Sequence, residues 1–132
     1  MWVKTNPNPG RKEVGDSAVR ALSFALKKRW VEVYDDLCRI GREEYNMPSS
    51  DSVISRYLHE NGFEPFLVKE SEDNEPVTIA VFSWMNPEGT FVIGTGGHVV
   101  AVINGDYYDS WDSGSEIPSF FWKIKMEPNK EA

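Results

Sequence analysis

TFVIGTGGHVVAVINGDYYDSWD, residues 90–112, is the stretch whose reading decides the fold. It opens as an apolar strand (Phe91, Val92, Ile93) and breaks at Gly94, Gly96 and Gly97. It then makes a tight hairpin whose arms are Val99–Ile103 and 106–110. Asn104-Gly105 between β-forming arms is a strong hairpin signal, because a type I′ turn needs positive φ at both central residues. The turn also sets a register. With Ile103 opposite Asp106, Val100 falls opposite Asp109 and His98 opposite Trp111. Cross-strand partners share a face, so His98, Asp109 and Trp111 are expected to point the same way, with Asp112 on the other face by strand parity. The expected result is an imidazole at a strand mouth, a carboxylate to orient it and an indole as cover.

Taken alone, His98 is equally readable as a structural histidine. The glycines before it favour a functional role, because they let a ligand or another backbone approach closely. A base with an orienting acid still needs a nucleophile, and the rest of the chain has to supply one.

The 132 residues suffice for one domain with a real core. With 40% hydrophobic and 13% aromatic residues the chain is globular. Its 21 acidic and 14 basic residues leave a net charge of −7, which argues against nucleic acid as a partner, since phosphate contacts need clustered Lys and Arg. The basic run Lys27-Lys28-Arg29 is expected to be a solvated helix end. No stretch approaches the roughly 20 apolar residues of a membrane span, and the first dozen residues lack the apolar core of a signal peptide. The lone cysteine, Cys38, excludes an internal disulfide and fits a reducing interior, so a cytoplasmic location is expected.

From the start, residues 1–14 carry Pro7, Pro9 and Gly10 and should form an extended lead-in. Ala18, Ala21, Leu22, Ala25 and Leu26 then recur at helical spacing, with Asp16 or Ser17 able to cap the helix. Ser17 lies in its first turn. A second helix over about 31–45 should turn Val33, Leu37 and Ile40, with Tyr34 and Cys38, inward. Cys38 then reads as a core thiol. Ser49-Ser50 caps a third helix, Asp51–Glu60, ended by Asn61-Gly62, and His59 at its end reads as surface. Residues 63–68 form a strand interrupted by Pro65, and 70–75 an acidic, flexible loop. Residues 77–85 have strand propensity but terminate like a helix, and a short helix is expected. Residues 119–126 should close the sheet as an aromatic strand. The domain thus spans 1–126, with 127–132 a frayed tail.

In chain order this gives a small residue at a helix N-terminus, then about eighty residues later a His, then an Asp one strand on. That layout resembles papain-like cysteine peptidases. It is more closely similar to a family of small bacterial and phage proteins with that fold, whose pattern runs Asn-Pro-Asn-Pro, Gly-Asp-Cys-x-x-Arg-Ala-Leu, Gly-Gly-His, Tyr-Asp-x-Trp-Asp. Here the matching residues are Asn6-Pro7-Asn8-Pro9, Gly15-Asp16-Ser17-Ala18-Val19-Arg20-Ala21-Leu22, Gly96-Gly97-His98 and Tyr108-Asp109-Ser110-Trp111-Asp112. The resemblance covers residues 6–122 and implies an α+β, papain-like domain with N-terminal helices packed on a small antiparallel sheet. It also implies a thiol peptidase or amidase acting on peptide or isopeptide bonds of a peptide or protein substrate, with no cofactor.

The departure is Ser17, which stands where that family has its nucleophilic cysteine. A thiol beside an imidazolium ionises readily; a serine hydroxyl does not, so His98 would have to take its proton during attack. A site shaped for sulfur places an oxygen poorly, and little or no hydrolysis is expected. A deliberate Cys-to-Ser change and a natural loss of the nucleophile both fit, and Ser17 as a mere N-cap is the plain alternative. Three functions stay open: a papain-like hydrolase silenced at Ser17, a natural pseudoenzyme holding a peptide or protein partner, and a live serine hydrolase. For the oxyanion, the Ser17 N–H is one donor. Papain-like enzymes usually add a Gln, and this chain has none. Asn6 and Asn8 are the amide candidates, although both also suit turns before proline. Two distant histidines and one cysteine give no metal-ligand spacing, and Gly94-Thr95-Gly96-Gly97 lacks the Lys and following helix of a phosphate loop.

Overall fold

The computed structural model describes residues 1–69 and 75–124. The expected tail 127–132, most of the acidic loop and the last two residues of the closing strand lie outside that set. In chain order the elements are β1 (Trp2–Lys4), α1 (Ser17–Leu26), α2 (Trp30–Glu44), α3 (Asp51–Glu60), β2 (Phe63–Leu67), α4 (Ile79–Met85), β3 (Thr90–Gly94), β4 (Val99–Ile103), β5 (Asp106–Asp109) and β6 (Phe120–Ile124). The class is α+β.

The strands form one sheet in the order β1-β5-β4-β3-β6-β2. Its centre is the β3–β4–β5 meander, joined by the Asn104-Gly105 turn with φ of 50° and 85° and in the expected register, Ile103 against Asp106. The sheet is mixed, not antiparallel: β1 runs parallel to β5, with Val3 opposite Tyr108. The lead-in is therefore a strand at Trp2–Lys4, and beyond it the chain is not simply extended but turns over residues 8–11. β1 pairs the edge of β5 that would otherwise be open. Pro65 sits within β2 because β2 is the opposite edge strand, where a missing N–H faces no partner. Gly94 is required by packing, since a Cβ there would fall 2.5 Å from the Phe120 ring.

Alternation along the strands divides the core. Val92, Ala101 and Trp122 pack with α1, α2 and α3, around the fully buried Leu22, Leu37 and Ile40. Phe91, Ile93, Val100 and Val102 pack on the other face with Ile79 and Phe82 of α4. Each such side chain contributes about 1.5–3 kcal/mol by leaving water.

Three local expectations change. Lys27-Lys28-Arg29 is the α1–α2 connection, with Lys27 in the left-handed C-cap and Arg29 as N-cap of α2. Tyr34 is not inward; it is about half exposed and stacks on Trp30 at 5.1 Å. Cys38 is only partly buried, at the margin of the α2 stripe. Among the described residues no helix is long and apolar enough to cross a membrane.

Candidate active site

α1 begins at Ser17, and neither candidate side chain caps it. Asp16 is the N-cap by position but makes no capping bond. Its carboxylate turns into the protein instead, accepting from Arg20 Nε (2.9 Å), Trp30 Nε1 (2.9 Å) and Asn8 Nδ2 (3.2 Å). Burial pushes the Asp16 carboxyl up, but these donors outweigh it and hold it below the usual range. Ser17 Oγ is left free of capping duty and accepts the backbone N–H of Val99 at 3.2 Å. That bond ties the start of the helix to the residue after His98.

His98 meets Asp109 through Nε2, 2.5 Å from Oδ2. Asp109 is 1% exposed, and a carboxylate so placed requires donors. It has Arg20 Nη1 on Oδ1 (2.8 Å), Ser113 Oγ on Oδ2 (2.7 Å) and the Ser110 N–H on Oδ1 (2.8 Å). Burial raises this carboxyl, yet the bonds from His98, Ser113 and Arg20 overcome that and bring it down to about 2. The folded pKa lies below the unfolded one. The stabilisation is therefore complete above the unfolded value of about 4 and lost as the pH falls through about 2, roughly 2 kcal/mol in all. Urea midpoints taken at pH 6 and pH 2.5 should accordingly fall more steeply for the native chain than for Asp109→Asn; equal slopes would contradict the assignment.

The Asp109 and Asp112 roles separate as expected. Asp112 accepts from Tyr107 Oη (2.5 Å) and from the Gly114 N–H (3.0 Å), so it serves the following turn. Trp111 covers the imidazole at a ring separation of 5.1 Å and an angle of 36°. The route to this geometry differs from the expected one, however. The β4–β5 ladder ends at Ala101 opposite Tyr108, so Val100 is not paired with Asp109, and His98 and Asp109 meet beyond the pairing. The Ser110 N–H bonds to the Asp109 carboxylate, a local interaction that competes with the ladder at that point.

Ser17 and His98 line one cavity of about 150 Å³, together with Gly96, Gly97, Asp51 and Phe120. Asn6 and Asn8 are not brought to it. Asn6 Nδ2 donates to the Lys12 carbonyl while its Oδ1 accepts the Asn8 N–H, and Asn8 Oδ1 accepts the Gly10 N–H. Both shape the loop that leads into α1. The Ser17 N–H remains a first-turn helix donor, one of those with no partner inside the helix.

Arg20 was given no role by the sequence reading, although it joins Asp16 to Asp109. Its signal is a charge four residues after Asp16, on a helix whose neighbouring positions are apolar. Ser113 and Trp30 carry no comparable signal. Among the described residues no group of three His, Cys, Asp or Glu side chains could hold a metal ion. No protein-family model, no curated protein and no solved structure matches this chain.

Proposed function

We propose that this domain is a papain-like hydrolase of peptide or isopeptide bonds in which Ser17 occupies the nucleophile position. The observation that carries the proposal is that His98, held by Asp109, lines the same cavity as Ser17 at the start of a helix. Asp109 takes Nε2, which leaves Nδ1 as the nitrogen for the nucleophile. A thiol at position 17 would have the helix N-terminus and the Val99 N–H to stabilise its thiolate, and His98 as the imidazolium. It would attack the amide carbonyl, the Ser17 N–H would receive the developing oxyanion, and His98 would pass its proton to the leaving amine. Water, activated by His98, would then release the acyl group.

With serine in place the ion pair cannot form in advance, and Ser17 Oγ already accepts the Val99 N–H. That hydrogen bond favours the second reading for the present chain: it holds a peptide in the cleft without cutting it.

Ser17→Cys tests the hydrolase reading. Its labelling by iodoacetamide should stay nearly constant from pH 8 down to pH 5. An ordinary thiol falls about tenfold per unit over that range, because only thiolate reacts. Cys38 supplies the internal comparison. If the introduced thiol follows the ordinary tenfold decline, the ion pair is absent and the hydrolase reading is lost.

A further inference from the structure

We propose that Asp51 and the aromatic groove beside it select substrates carrying a lysine or arginine side chain next to the bond presented to position 17. This deepens the peptide-hydrolase reading and rests on it. Asp51 is the first residue of α3, is exposed, and lines the cavity that holds Ser17 and His98. It also lines a groove of about 380 Å³ walled by Pro65, Phe66, Leu67, Phe120 and Trp122. Asp51 and Phe120 line both, so the cavity and the groove adjoin at these two residues.

Among the described residues, Asp51 is the one charged residue lining the groove. Its carboxylate has no hydrogen bond or ion pair among the described residues, whereas the other carboxylates of the site are fully engaged. Phe66 and Leu67 are 42% and 79% exposed, on the outer strand of the sheet. Apolar walls ending at a free carboxylate match a side chain with a methylene stem and a cationic head, and aromatic faces attract that head further. A net charge of −7 adds to the preference and disfavours acidic substrates.

The test uses the full chain with Ser17→Cys and three methanethiosulfonate reagents of similar size: neutral methyl, cationic 2-aminoethyl and anionic 2-sulfonatoethyl. At low ionic strength, Asp51→Asn should slow the cationic reagent by about fivefold and speed the anionic one similarly, the effect of one carboxylate at contact distance in water. Asp51→Lys should reverse the preference. Asp35→Asn removes the same charge from an exposed site on α2 outside the cavity, and should change either rate by less than about twofold. Extending the cationic reagent to a 5-aminopentyl chain should raise its rate, and Leu67→Ser should abolish that gain. The proposal is overturned if Asp51→Asn acts no more strongly than Asp35→Asn, or if the longer chain gains nothing. Failure of the hydrolase reading would appear separately, as an ordinary pH dependence of the neutral reagent.

Discussion

His98→Ala, made in the Ser17→Cys background, is expected to lower iodoacetamide labelling at pH 5 by about thirtyfold. Without the imidazolium the thiol returns toward its ordinary pKa of about 8.5, and only about one molecule in three thousand is then thiolate at pH 5. With the imidazolium, a pKa near 4 makes nearly every molecule thiolate, a gain of about 3.5 decades. Lower basicity returns about two of those decades, because nucleophilicity falls by roughly half a log unit per pKa unit. The balance is about 1.5 decades at pH 5; it vanishes near pH 6.5 and reverses above it. The expected signature is therefore a ratio that grows as the medium becomes more acidic. A ratio independent of pH would mean that His98 acts only by packing against Trp111, which lies 5.1 Å away ring to ring.

Arg20→Met should cost the fold about 3–5 kcal/mol, the loss that follows removal of one partner from a buried ion pair. The guanidinium spans Asp16 and Asp109 with side chains 10%, 7% and 1% exposed, so neither carboxylate can turn to water instead. In a domain worth about 5–15 kcal/mol the loss is large, and the urea midpoint at pH 7 reads it directly. Arg20→Lys should recover only part, since one ammonium cannot present the two separate nitrogens that reach Asp16 and Asp109. The difference between the Met variant and the native chain should shrink as the pH falls. Both carboxyls are held low in the native chain, Asp109 at about 2, so acid removes stability that the variant no longer has. A loss under about 1 kcal/mol would show that the network is not closed as described.

Much of the fold was written locally. The Asn104-Gly105 turn set the hairpin and its register, since few residue pairs accept two positive φ angles. The bounds of α3 and the helical character of α4 follow from capping residues: Ser50 and Thr78 each accept a backbone N–H three residues on. The association of His98, Asp109 and Trp111 was legible from the same hairpin. Trp2–Lys4 as a strand was not, because three residues carry no period and acquire their state from the open edge of β5.

Strict alternation, carried beyond the ladder, puts His98 with Val100 and Val102 on the α4 face, whereas α1 and Ser17 lie across the sheet against Ala101. The sequence by itself determined that a histidine and an aspartate would share a strand end and that a small hydroxyl residue would open a helix. Only the tertiary structure decided that Ser17 and His98 line one cavity. The pairing stops at Ala101 and Tyr108, Asp109 bonds the next N–H, and its carboxylate swings to Arg20 of α1 while the Val99 N–H reaches Ser17. The physical reason is that an almost fully buried carboxylate must find donors, and those donors come from parts of the chain up to 89 residues away.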